Sequence, residues 1–159
     1  MAKTTPEGYH AVTPSFTFKD SQKAIDFYKK AFGAKVLDLF PNVITGRGIM
    51  HATLQIGDSI IMMGDEMHGE HSPKSAETLG GCPMSQFLYV PDADAAFKQA
   101  VAAGGKETMP MGDQFWGDRA GSIMDPFGYS WMIATHTRDM SKEEIRKEAE
   151  AFFASMGKK

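Results

Sequence analysis

Cysteine is almost missing from this 159-residue chain. The single one, Cys82, rules out an internal disulfide and any cysteine-pair metal knot. No apolar run approaches the roughly 18 residues that a membrane-spanning helix needs. Residues 1–10 are polar and lack the apolar core of a secretion signal. An excess of charge is lacking too: 17 basic and 20 acidic residues leave a net charge of −3, which gives no basic footprint for nucleic acid. These absences lead to the expectation of a soluble, cytoplasmic protein without nucleic-acid or membrane partners. Hydrophobic residues at 42% and charged residues at 23% exclude global disorder.

Methionine is in excess, with 12 in the chain. Its flexible thioether fills gaps in a core, and it also suits pockets that accept apolar ligands of varied shape. Both readings stay open at this point.

The chain contains a repeat. Residues 16–20 alternate as a strand, and Asp20 or Ser21 then caps a helical stripe of Ala24, Ile25, Phe27, Tyr28, Ala31 and Phe32. Gly33 suits the left-handed position that closes such a helix. The same order of strand, aspartate, helix and glycine recurs over residues 87–106, with Phe97 matching Phe27. Strands are expected at 36–40, 49–56 and 59–63 in the first half and at 106–110, 120–124 and 129–136 in the second. Gly57 and Asp58 form one tight turn, and Asp125, Pro126, Phe127 and Gly128 form another. The fold class is therefore α+β, with two tandem βαβββ modules. Residues 10–137 make a single domain from modules 10–68 and 84–137. The linker 69–83 is expected to be exposed and mobile. Residues 138–159 form a tail in which Ser141 and Glu144 make a capping box. Ile145, Ala149, Phe152 and Met156 fall on one face of that helix, which packs on the modules or on a second subunit.

Residues 24–28, then Phe32, Gly33 and Ala34, the Gly57–Asp58 turn and the Asp125–Gly128 turn resemble the vicinal oxygen chelate superfamily of glyoxalases, bleomycin-resistance proteins and extradiol dioxygenases. His51 and residues 115–119 most resemble its PhnB-like branch. The resemblance covers residues 12–136. It implies a cleft between the modules, a homodimer and, in the family's enzymes, a divalent metal held by His, Gln or Glu on four strands. Carried onto this chain, those four positions fall at Thr13, Met62, Ser85 and Met132. Two hydroxyls and two thioethers lack the charge and basicity that catalytic zinc takes from its ligands. No metal and no cofactor are therefore expected. Thioether softness leaves Cu(I) as a minor alternative to packing.

Three other groups stand out. His51 is either a hydrogen-bonded structural histidine or a general base. Trp116, Asp118 and Arg119 are either a structural corner or a cleft wall, where Trp116 stacks on a ligand and Arg119 grips an anion. Asp118 is then a proton-transfer partner for His51. His68, Glu70 and His71 read mainly as solvated surface. The expected function is metal-free binding, or sequestration, of a small molecule in a cleft lined by Thr13, Met62, Ser85, Met132, Trp116 and Arg119. The alternative is a glyoxalase-like lyase or isomerase, metal-dependent or using His51. A third reading gives the terminal helix a role in assembly.

Overall fold

A computed structural model describes residues 4–156. The first module runs β1 (Ser15–Phe18), α1 (Ser21–Phe32), β2 (Lys35–Pro41), β3 (Ile49–Ile56) and β4 (Ser59–Asp65). A one-turn helix α2 (Ala76–Leu79) follows. The second module runs β5 (Ser85–Tyr89), α3 (Ala93–Ala102), β6 (Lys106–Asp113), β7 (Asp118–Met124) and β8 (Ser130–His136). Helix α4 (Lys142–Met156) closes the chain. Each module is a four-stranded mixed sheet, ordered β1-β4-β3-β2 and β5-β8-β7-β6. In each, the opening strand pairs parallel with the last strand and the remaining pairings are antiparallel.

Local chemistry sets the element ends. The Asp20 carboxylate accepts the Lys23 N–H at 3.1 Å, and Asp92 accepts the Ala95 N–H at 2.9 Å, so both main helices start on an aspartate cap. Gly33 takes φ +65°, which closes α1 without Cβ strain. Ser141 Oγ accepts the Glu144 N–H at 3.2 Å while Glu144 accepts the Ser141 N–H at 2.7 Å, a reciprocal capping box on α4. The expected apolar face of α4 includes Met156, whose side chain lies outside the described residues.

The linker departs from expectation. Ser75 and Ala76 are buried, because Glu66 accepts the Ser75 N–H at 2.6 Å and Ala76 sits against the turn at Gly128. Strand β2 departs in the other direction and is exposed along its whole length at the edge of its sheet.

Helices α1 and α3 pack on each other between the modules. Gln99 of α3 donates to the Lys30 and Ala31 carbonyls at the end of α1, at 2.8 and 3.1 Å. Aromatic rings fill the joint: Phe16 stacks on Trp131 at 6.0 Å, and Phe32 lies 4.7 Å from Trp131. Burying such rings stabilises the fold by about 1.5–3 kcal/mol each, so this joint is a principal source of stability. At its centre lies Asp125, 3% exposed. Tyr28 Oη and Trp131 Nε1 donate to its Oδ2 at 2.7 and 3.1 Å. The Phe127 and Tyr129 N–H groups donate to its Oδ1, both at 2.9 Å. Burial raises the Asp125 carboxyl above its usual range even though these bonds pull the other way.

Replacing Asp125 by Ala leaves four buried donors without an acceptor. The expected loss is about 3–5 kcal/mol of unfolding free energy in urea denaturation. Tyr28→Phe removes one donor and should cost about 1–2 kcal/mol. Equal losses for the two variants would show that Asp125 is not the hub.

Candidate functional site

Side chains alternate along each strand between the helix-packed face and an open face. The open face of the first sheet carries Ser15, Met62 and Thr53 in one row, with His51 beside them on β3. The corresponding row of the second sheet is Phe87, Met132 and Ser122. Met62 and Met132 therefore hold equivalent positions in the two modules, as the repeat requires. Ser85 opens β5 opposite Ser130 and is exposed.

Thr13 is displaced from the expected place. It precedes β1, and its hydroxyl donates to the His10 carbonyl at 3.0 Å. Pro14 has no N–H for a ladder, and pairing begins at Ser15. Ser15 and Thr17 take the outward positions instead.

Around His51 the structure gathers hydroxyls. His51 Nε2 lies 3.1 Å from Thr53 Oγ1, which lies 3.2 Å from Tyr9 Oη. Thr53 is 3% exposed although it faces outward, because the segment carrying Tyr9 crosses the sheet there and Gly8 lies against Ile60. Nothing in the sequence pattern marks Tyr9 for this contact. A cavity of about 160 Å³ beside His51 is bounded by Ser15, Thr17, Met50 and Met67.

Asp118 is not paired with His51. It lies at the start of β7, 2% exposed, directly opposite His136. Its Oδ1 is 2.7 Å from His136 Nδ1. Its Oδ2 accepts from Trp116 Nε1 at 2.8 Å and from Tyr89 Oη at 3.0 Å. His136 Nε2 lies 3.0 Å from the exposed Asp139 carboxylate. Tyr89 and His136 were legible only as strand residues, because their link to Asp118 runs across three strands.

Arg119 is corrected. It adjoins Asp118 in β7 and so points to the opposite face, toward α3. There its guanidinium pairs with Asp94 at 2.5 Å and with Asp113 at 3.1 Å. Those carboxylates raise its pKa further and leave it committed to them, away from Trp116 and any cleft ligand.

A cavity of about 520 Å³ opens between the modules. Val12, Ile56, Ile60, Phe87, Tyr89 and Trp131 line much of it. Tyr89 connects this cavity to Asp118, since its ring lines the wall while its hydroxyl reaches the carboxylate. None of the eight candidate site residues taken from the sequence lines this cavity.

Across 10–133 the chain matches the model of the glyoxalase/bleomycin resistance protein/dioxygenase superfamily. The chain belongs to this superfamily. An uncharacterised protein of Mycobacterium bovis is 37% identical over 138 residues, covering 86% of this chain and 90% of that one. The structure of TioX from Micromonospora sp. ML1 superposes with TM-score 0.63 at 25% identity, covering 80% of this chain and 98% of TioX. The PhnB protein of Bacillus cereus shares the fold, with TM-score 0.61 at 19% identity and coverage of 79% and 99%.

The superfamily's enzymes imply a divalent metal, and the residues here do not fit one. The positions carried over from the resemblance offer two hydroxyls and two thioethers, with Thr13 ahead of β1 and Ser85 at the exposed start of β5. Among the described residues, no group of three or more His, Cys, Asp and Glu is arranged to hold an ion, and this includes the loop with His68, Glu70 and His71. No helix among the described residues is long and apolar enough to cross a membrane.

Burial alone would raise the Asp118 carboxyl, but hydrogen bonds from His136, Trp116 and Tyr89 outweigh it and hold the group below its ordinary range. The bond to Asp118, followed by that to Asp139, raises His136 above its ordinary 6.5. A raised histidine contributes stability fully below 6.5 and loses it as pH rises through its folded value. A lowered aspartate contributes above its ordinary 3.8 and loses it as pH falls through its folded value. The pair therefore holds the β7–β8 end between those limits. An NMR titration should place the His136 midpoint above 6.5, and Asp118→Asn should move it down. An unmoved midpoint would show that the Asp118 contact does not form.

Proposed function

We propose that this chain binds a small molecule without a metal, in the groove between its modules, along Phe87 and Tyr89 toward Trp116 and Asp118. The observation that supports this most is the donor set at the four family positions, which offers a divalent ion no charged ligand. The apolar groove with a few polar anchors has the character of a ligand site. On this reading Met62 and Met132 are adaptable apolar surface, and Ser85 and Thr13 lie at the rim. Arg119 is a structural ion pair. A second copy of the chain completes the site. Exposed Val36, Leu37, Leu39 and Phe40 on β2 give that copy an apolar surface to cover. The single thiol, Cys82, suits a reducing cytoplasm.

A second reading is catalytic. It draws on the contact between Asp118 and His136, in which a buried carboxylate orients an imidazole whose other nitrogen meets the exposed Asp139 carboxylate. His51, surrounded by hydroxyls, has no such partner.

The protein purified without chelator should carry under about a tenth of an equivalent of any transition metal, and a compound screen should raise its melting temperature. A ligand at a hundred times its Kd adds about 2.7 kcal/mol. Tyr89→Ala and Trp116→Ala should each weaken a hit by about tenfold or more, about 1.4 kcal/mol. Near-stoichiometric metal, or hits indifferent to both variants, would overturn the proposal. Turnover lost in His136→Asn with binding kept would establish the second reading.

A further inference from the structure

We propose that the ligand of this groove is an amphiphilic cation, with an apolar body in the cavity between the modules and a positively charged end against the rings of Tyr89 and Trp116. The proposal rests on the small-molecule reading above and names its ligand class.

The argument starts from one oxygen atom. Tyr89 Oη and Trp116 Nε1 both donate to Asp118 Oδ2, at 3.0 and 2.8 Å. With these donors committed, the two side chains offer a ligand only their ring faces. Donation to an anion also makes each ring more electron-rich, which deepens the negative potential over its face. Phe87 lies 5.7 Å from Tyr89, centroid to centroid. Phe87 and Tyr89 remain 51% and 58% exposed, so their faces are open to a ligand.

The charges agree with the rings. Asp118, His136 and Asp139 form a chain of contacts at 2.7 and 3.0 Å. Two carboxylates against one imidazole leave the patch negative even when the imidazole is protonated. Asp58 lines the cavity, and among the described residues no lysine or arginine does. Arg138, next to Asp139, is engaged by Glu148 at 2.9 Å, and Arg119 lies on the opposite face of β7. An anionic ligand would meet carboxylates, with Arg119 and Arg138 both already engaged. A neutral one would leave the negative patch unused.

The test uses phenyltrimethylammonium, its neutral isostere tert-butylbenzene, and benzenesulfonate, each titrated into the full chain. The readout is the indole N–H resonances of the two tryptophans, Trp116 and Trp131. Trp131 lines the cavity and so reports the apolar body, while Trp116, bonded to Asp118, reports the charged end. The cation should shift the Trp116 signal, with an affinity at least about tenfold above that of the neutral isostere. Tyr89→Leu, at an exposed position that spares the fold, should reduce cation affinity several-fold. Equal binding of the neutral compound, or tighter binding of benzenesulfonate, would overturn the cation class and leave the groove as a small-molecule site. No response of Trp116 to any probe would overturn the cation inference. The groove itself would fall only if the wider compound screen were also blank.

Discussion

The carboxylate of Asp125 is the constraint on which the other elements depend. A charged group with so little contact with water must have its lone pairs met inside the protein. Its four donors come from α1, from its own turn and from β8. The bond to Tyr28 holds the first module's helix against the second module's turn. The bond to Trp131 fixes that side chain inward. Because neighbours on a strand point to opposite faces, an inward Trp131 turns Met132 outward, and His136 with it. The joint between the modules and the composition of the open face are thus set by the same contact.

A second buried carboxylate, Asp118, organises the outer side as Asp125 organises the inner one. Each gathers a tyrosine hydroxyl and a tryptophan N–H, and their surroundings separate them. Asp125 is enclosed by aromatic rings and accepts two backbone N–H groups, so burial dominates its chemistry. Asp118 lies under the exposed ring of Tyr89 and touches a histidine whose pKa it raises. The first module has no equivalent. Its open face is partly covered by Tyr9 and carries hydroxyls around His51. Two copies of one module design have therefore diverged into a covered half and an open, charged half.

The fold was legible in the sequence because its signals are local. An aspartate cap needs only the N–H three residues on, a glycine C-cap needs only its own φ, and the turn at Asp125 needs four consecutive residues. The repeat then followed from seeing these signals twice. Contacts among the candidate residues were legible where chemistry and sequence neighbourhood coincide: Trp116 and Asp118 are two positions apart and bond to each other. Arg119 shows the limit, since adjacency in sequence suggested a shared wall and strand alternation put it on the opposite face. Tyr9, Tyr89 and His136 gave no signal, because each meets its partner across a sheet or from a distant segment.

The sequence by itself therefore determined the module architecture, the caps and the central turn. These depend on residue type and short spacing. Only the tertiary structure decided which histidine receives a carboxylate, which aromatic rings stay exposed and where a cavity opens. Those outcomes depend on register and on module packing, which bring together residues far apart in the chain and turn neighbours to opposite faces.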